Sequence, residues 1–328
     1  MMSLADGYGR QHTYLRIAVT DRCNLRCAYC MPPQGVTQQE RDEILTLEEI
    51  TRVARVCVAA GVSKIRLTGG EPTMRRDLDV LIGWLRELPG VRALGMTTNG
   101  VRLHALARTL QASGLTALNI SLDTLRPERF TRITGRNVLA DVLDGIETAL
   151  ACGFTAVKLN TVLLAGVNDD ELFDFLEFVR EKPLGLRFIE YMPFSDNGWS
   201  RQHLLPAAEA ISRIAARYPL QPVADAVPGA SAREYRIEGF RATIGFITPM
   251  SDAFCGDCSR LRLTADGSIK SCLFSPATVN LRALLREGAT DERLLAAIRT
   301  ALAGKAQAHP PADALVTLND RPMTLIGG

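Results

Sequence analysis

Six short apolar runs recur between residues 14 and 194, with stretches of helical character between them. The runs are "YLRIAVT" (14–20), "KIRLTGG" (64–70), "ALGMTTN" (93–99), "ALNISLD" (117–123), "AVKLNTVLL" (156–164) and "LRFIEYMPF" (186–194). "TLEE" at 46–49 sets Thr46 three residues before Glu49, which is a capping box. "DDELFDFLEFVREK" (169–182) starts acidic and ends basic, as a helix dipole prefers, and "LLPAAEAISRIAARY" (204–218) follows the sixth run. Strand–helix alternation of this kind requires a parallel sheet covered by helices. Six units fall short of the eight that close a full barrel. The expected fold is α/β, a curved partial (β/α)6 barrel with its site at the strand C-termini.

Around residue 220 the pattern changes. "PLQPVADAVPGASARE" reads as a linker, so a barrel over 1–219 and a smaller α+β domain over 220–328 are expected. The second part offers "YRIEGF", "ATIGFITP" and "LRLTADGSIKSCLF", then two short helices. The Asp266–Gly267 pair predicts a two-residue hairpin turn that pairs 265 with 268, and so 261 with 272. The net charge of +2 argues against a broad nucleic-acid or membrane surface. "MMSLADGYGRQHT" lacks a signal-like apolar core and no run reaches the roughly 18 apolar residues of a membrane span, so a cytoplasmic location is expected.

Six of the eight cysteines form two sets. Cys57 and Cys152 stand alone at the ends of helical patterns and read as small core residues. Cys23, Cys27 and Cys30 follow the first strand as C-x3-C-x2-C. A structural zinc site takes four ligands, usually from spaced pairs, and no histidine lies nearby in sequence. Three thiolates on a cubane iron–sulfur cluster would instead leave one iron open to a small molecule. Cys255, Cys258 and Cys272 form the second set, which the hairpin folds into one site. A zinc ribbon is the alternative there, and it lacks an obvious fourth ligand.

The strands also carry charge. Arg16, Lys64, Arg66, Lys158 and Arg187 all interrupt apolar runs. Strands of a helix-covered parallel sheet are buried on both faces, and an unpaired buried cation costs several kcal/mol, roughly. Converging cations need anions: protein carboxylates such as Glu190 or Asp123, or a polyphosphate. No G-x4-G-K-S/T loop and no G-x-G-x-x-G after a strand is present, so side-chain cations would have to hold a phosphorylated ligand.

"CNLRCAYC" after one strand and "TGGEP" after the next resemble the radical S-adenosylmethionine (SAM) superfamily. In that family three cysteines hold a 4Fe–4S cluster whose open iron binds SAM, and electron transfer releases a 5′-deoxyadenosyl radical. The C-x2-C-x13-C set, with "RLRLTADG" inside it, narrows the resemblance to the GTP 3′,8-cyclases of molybdenum cofactor biosynthesis. "YLRIAVTDRCNLRCAYCMP", "RLTGGEP", "TTNG", "SLD", "VKLN" and "MTLIGG" extend it from about Asp6 onward. Ser259 departs from an expected asparagine.

The resemblance implies that Cys23, Cys27 and Cys30 hold one 4Fe–4S cluster and Cys255, Cys258 and Cys272 another, whose open iron meets the guanine of GTP. It implies SAM contacts at Tyr29, Gly70, Ser121 and Met192. It implies GTP contacts at Arg16, Arg66, Thr97, Lys158, Arg260, Leu261 and Arg262, with Lys64 and Arg187 joining the triphosphate group. Gly327 and Gly328 would reach in beside Arg260 and Arg262 as part of the catalytic apparatus. An external electron donor, a tendency to dimerise, and delivery of product to cyclic pyranopterin monophosphate synthase also follow. Two other readings compete: a radical SAM peptide maturase with auxiliary clusters, and a non-catalytic iron–sulfur or zinc regulatory module.

Overall fold

Within each strand of the computed structural model, alternate residues go to opposite faces, and that alternation separates the core from the site. The structure describes residues 3–32, 34–194, 197–223, 229–318 and 323–327. Strands β1 (Tyr14–Ala18), β2 (Lys64–Thr68), β3 (Ala93–Thr98), β4 (Ala117–Ser121), β5 (Ala156–Leu163) and β6 (Gly185–Glu190) lie side by side in chain order, all parallel. Helices α1 (Leu47–Ala59), α2 (Leu78–Glu87), α3 (Leu103–Ala112), α4 (Pro127–Thr134), α5 (Leu139–Ala151), α6 (Leu172–Val179) and α7 (Ala207–Ala215) fall between or after them.

Leu15, Ile17, Ile65, Leu67, Leu118 and Ile120 point to one face, are fully buried, and pack with Val53, Leu81, Leu103 and Val142 of the helices. Burial of each such side chain contributes about 1.5–3 kcal/mol. Truncation of one, such as Leu67→Ala, would cost about 2–5 kcal/mol because a cavity remains. The Thr46 box forms as the sequence predicts: the Glu49 amide donates to Thr46 Oγ1 at 3.2 Å and the Thr46 amide donates to Glu49 Oε2 at 2.8 Å. Cys57 is fully buried inside α1, and Cys152 caps α5.

The segments beyond 220 extend the same sheet. Their strands are β7 (Gln221–Pro222), β8 (Ala232–Arg236), β9 (Thr243–Ile247), β10 (Arg260–Leu263), β11 (Ser268–Lys270) and β12 (Val279–Asn280). β9 joins β6 in parallel and β10 joins β1 in parallel, on opposite edges. The twelve-stranded order is β12-β11-β10-β1-β2-β3-β4-β5-β6-β9-β8-β7. Antiparallel partners cap both edges, so the barrel stays open. Helices α8 (Leu281–Arg286), α9 (Asp291–Ala303), α10 (Ala312–Leu318) and α11 (Met323–Ile326) follow, where two were expected. No helix among the described residues is long and apolar enough to cross a membrane.

The hairpin register differs by one from expectation. Arg262 pairs with Lys270 and Leu263 with Ile269. The turn holds three residues, Ala265 to Gly267, because the Thr264 amide bonds Ser268 O at 2.9 Å and Gly267 takes φ +82°. A glycine with positive φ closes three-residue hairpins as readily as it closes two-residue ones. The consequence is large, since a one-residue slip exchanges faces. Cys272 continues opposite Arg260, on the inner face, instead of opposite Leu261, on the outer one.

Candidate active site

The first cysteine loop is held from three sides. It leaves β1 and lies against the glycine pair after β2: the Gly70 amide donates to Thr20 O at 2.9 Å and the Glu71 amide to Arg22 O at 2.8 Å. A Cβ at Gly69 would stand 2.3 Å from Thr20 O, and one at Gly70 2.4 Å from Arg22 O. Only glycine permits that approach. Glu71 is buried, and its carboxylate accepts from the Thr73 amide, Thr98 Oγ1 and the Asn99 amide. It thereby fixes Asn99, whose Nδ2 donates to Asn24 Oδ1 at 2.8 Å and reaches Cys23 Sγ at 3.9 Å. On the far side, the Arg26 and Ala28 amides donate to Thr134 and Ile133 carbonyls at the end of α4.

The residues expected around SAM gather near this loop. Tyr29 donates its hydroxyl to Asp123 Oδ2 at 2.6 Å, two residues beyond Ser121. Asn197 Nδ2 bridges the Tyr29 and Met192 carbonyls at 2.9 and 3.0 Å. Burial, then the negative charge of neighbouring thiols and Asp123, pushes Cys27 well above the usual thiol range and Cys30 up to about 12. Cys23 is also pushed up by burial.

The strand cations line a single cavity of about 510 Å³. Arg16, Lys64, Arg66, Lys158 and Arg187 come from four strands, β1, β2, β5 and β6, and Arg260 and Arg262 from β10. The sheet makes room for them by register. Arg66 lies beside Gly95, Lys158 beside Gly185 and Arg187 beside Gly245 on the neighbouring strand. A Cβ at Gly95 would meet the Arg66 guanidinium at 3.0 Å, and one at Gly245 would meet Arg187 Cγ at 3.1 Å. Tyr14 gathers three of the cations: Arg66 Nε donates to its hydroxyl at 2.7 Å, Arg16 Nη1 at 3.3 Å, and Lys64 Nζ sits 4.6 Å from its ring centre. Burial raises the Tyr14 phenol, but Arg66, Arg16 and Lys64 outweigh it and bring it down to about 7. Burial, with Arg16 and Arg260 adding repulsion, lowers Arg262 to about 9. A guanidinium keeps its proton, so a buried cation beside Arg16 and Arg260 is better accommodated when an anion joins it.

The second cysteine set lines that same cavity. Cys258 Sγ accepts from Lys305 Nζ at 3.4 Å and Arg260 Nη2 at 3.5 Å. Burial raises this thiol, yet Arg260 and Lys305 win and set it near 7. Arg10 braces the loop, donating to the Cys255 carbonyl at 2.8 Å and to Asp6 Oδ2 at 2.6 Å.

The tail passes between the two sets. The Met323 amide donates to Cys30 O at 3.3 Å, and Gly327 O accepts from Arg262 Nη1 at 2.6 Å. Gly327 has φ +80°, and a Cβ there would stand 2.2 Å from Thr68 Oγ1. Gly328 lies outside the described residues.

Two expected ligand contacts sit differently. Leu261 is fully buried in the core on the face away from Arg260 and Arg262, so its side chain does not meet the cavity. Thr97 is absent from the cavity lining and stands in register with Asn119, which lines it. The sequence reading missed Tyr14, Asn119, Asn160, Glu234 and Lys305. Asn119 and Asn160 follow the same inward alternation as Lys158 and could have been found from it. Lys305 lies after α9 with no pattern to mark it.

All six thiols are free. Among the described residues, no group of three His, Cys, Asp or Glu side chains is arranged to hold a single metal ion. The donor chemistry fits thiolate-held clusters in both places. Three half-buried, mutually repelling thiols ionise more readily beside a positive core, and Cys258 already lies in a thiolate-stabilising field.

An open parallel barrel with three cysteines on the loop after its first strand is the architecture of the radical SAM class. The Radical SAM superfamily model matches residues 17–179, and the Molybdenum Cofactor Synthesis C model matches residues 184–311. The chain is 46% identical over 306 residues to the GTP 3′,8-cyclase of Moorella thermoacetica, covering 93% of this chain and 95% of that one. It is 45% identical to the mitochondrial GTP 3′,8-cyclase of Arabidopsis thaliana, covering 99% and 83%. The chain belongs to the family of these proteins, the GTP 3′,8-cyclases. It also matches Molybdenum cofactor biosynthesis protein 1 of Bos taurus at 45% identity, and it spans about half (51%) of the length of that relative. Streptococcus suis SuiB bound to S-adenosylmethionine shares the fold, with a TM-score of 0.62, 16% identity, and coverage of 88% of this chain and 68% of that one.

Proposed function

We propose that this chain converts GTP to (8S)-3′,8-cyclo-7,8-dihydroguanosine 5′-triphosphate, the first step of molybdenum cofactor biosynthesis. The observation that carries the reading is the cavity in which seven cations and three cysteines face one another. Its charge suits a triphosphate, and its thiols suit a cluster that meets the base.

Cys23, Cys27 and Cys30 would hold a 4Fe–4S cluster, and Cys255, Cys258 and Cys272 a second one. With SAM bound, the first cluster would supply one-electron chemistry that generates a radical for use at the ribose. The chain's own residues position the reactants. Arg16, Lys64, Arg66, Lys158 and Arg187 clamp the triphosphate. Tyr29, fixed by Asp123, joins Gly70, Ser121 and Met192 around SAM. Arg260 and Arg262 hold the nucleotide beside the second cysteine set, and Arg262 fixes the tail through Gly327 O. Stacked Phe194 and Phe274, with Ile326 and Leu315, form an apolar wall that keeps water from the radical path. An external one-electron donor, transfer of product to cyclic pyranopterin monophosphate synthase, a homodimer and a cytoplasmic setting complete the proposal.

Anaerobic incubation of the iron-loaded protein with GTP, SAM and a reductant tests it. Both 5′-deoxyadenosine and the cyclised nucleotide are expected. Release of 5′-deoxyadenosine without any change to GTP would refute the substrate assignment.

A further inference from the structure

Three oxygens on the inner face of neighbouring strands are buried and have no hydrogen-bond partner among the described residues: Thr97 Oγ1 on β3, Asn119 Oδ1 on β4 and Asn160 Oδ1 on β5. Asn119 is only 7% exposed, and both asparagines line the cavity. They form a tight group. Thr97, Asn119 and Lys158 are successive register partners across β3, β4 and β5, and Asn160 pairs with Ser121 one layer nearer the SAM site. Buried polar groups in a native fold are almost always paired, so the two unpaired asparagine oxygens in the cavity wall call for a ligand.

The rest of the cavity wall narrows what that ligand offers. Its charged side chains are donors, apart from a single carboxylate among the described lining residues, Glu234. Glu234 is already engaged by Lys158 at 3.3 Å and Arg187 at 2.7 Å. The cations therefore take the phosphates, while the β3–β5 oxygens take donors. Adjacent strands lie about 4.8 Å apart, so Asn119 is one step from the phosphate clamp at Lys158. In a nucleoside triphosphate, the first donors at that reach are the ribose hydroxyls. The base edge also carries donors, but the second cysteine set lies on the loops that flank the β10–β11 hairpin, and β10 is four strands away in the sheet from Asn119.

We propose that Asn119, which none of the site assignments above includes, accepts a hydrogen bond from the ribose hydroxyls and makes the site selective for ribonucleotides. The proposal rests on the GTP reading above. It gives Asn119 two effects. Loss of a sugar hydroxyl leaves a buried acceptor unpaired, which is the condition under which sites discriminate strongly. A fixed sugar also directs C3′–H toward the Ser121 and Tyr29 end, so Asn119 shapes coupling as well as affinity.

Equilibrium binding to the anaerobic, iron-loaded protein without SAM provides a readout independent of turnover. GTP, 2′-deoxy-GTP and 3′-deoxy-GTP are the probes. The native chain should bind GTP roughly 10- to 100-fold more tightly than at least one deoxy analogue, as expected for one buried hydrogen bond. Asn119→Ala should lower GTP affinity to that of the analogue and leave analogue binding within about twofold. Asn119→Asp keeps an acceptor of the same shape, so overall affinity should change while the ratio between GTP and the analogue survives. An unchanged ratio in Asn119→Ala, or a loss shared equally by all three nucleotides, overturns the proposal. Failure of the native chain to bind any guanosine triphosphate overturns the GTP reading itself, which is a different result.

Discussion

The two cysteine sets have the same number of ligands and opposite surroundings. Around Cys23, Cys27 and Cys30 the neighbours are one another, Glu71 and Asp123, and the thiols are driven upward, Cys30 to about 12. Around Cys258 the neighbours are Arg260 and Lys305, and the thiol is drawn down to about 7. The first set favours whatever brings positive charge, as an iron core with a sulfonium beside it does. The second is already cationic and favours an anionic ligand next to it, as a triphosphate is. Burial raises the thiols in both places, and the charges beside Cys258 are what separate it from the first set.

The comparison can be broken chemically. In the metal-free, reduced protein at pH 7, Cys258 should be about half thiolate, while Cys30 should be about one part in 10⁵. Lower intrinsic nucleophilicity offsets part of this gap. Alkylation followed by peptide mapping should still show Cys258 reacting on the order of 10² times faster. Its rate should rise with pH and level off above about pH 8, whereas Cys30 should stay slow until far higher pH. Equal rates would remove the electrostatic distinction.

The cation side can be sharpened through the glycines that accommodate it. Gly95→Val puts branched carbons where Arg66 lies and should weaken GTP binding roughly 10- to 100-fold, measured by equilibrium dialysis, since one charge-assisted phosphate contact is lost. SAM binding should hold within about twofold. If both ligands weaken together, the glycine serves the sheet and not the clamp.

On the first side, Asp123→Asn keeps the shape of the Tyr29 partner and removes its charge. SAM affinity should fall by about five- to tenfold with GTP affinity unchanged, as loss of one charged hydrogen bond predicts. A larger and equal effect on both would make Asp123 a general brace of the barrel.

Much of this was readable in the chain. The six inner strands appear where apolar runs stand, and each ends within a few residues of its expected limit. The cations within those runs could be recognised as misplaced because burial of charge is costly, and they do converge. The joining of β9 and β10 to opposite edges was not readable. Arg260 pairs with Tyr14, 246 positions earlier in the chain, and nothing local encodes a parallel pairing over that distance. The hairpin register was missed because Asp-Gly serves both two- and three-residue turns, and the choice depends on Thr264 and Ser268 pairing outside it. Lys305 was missed because its role comes from where α9 ends, not from its neighbours in sequence.

The central claim is that the two cysteine sets do separate jobs, the second of them at the wall of the cationic cavity. Cys272→Ala tests it most directly, with iron content and both products measured on the same anaerobic sample. The account predicts that iron falls to about half of the native value, consistent with loss of one of two cubanes. It predicts that SAM is still cleaved to 5′-deoxyadenosine, and that no cyclised nucleotide forms. A variant that retains full iron and still cyclises GTP, or one that loses SAM cleavage along with cyclisation while keeping half its iron, would contradict it.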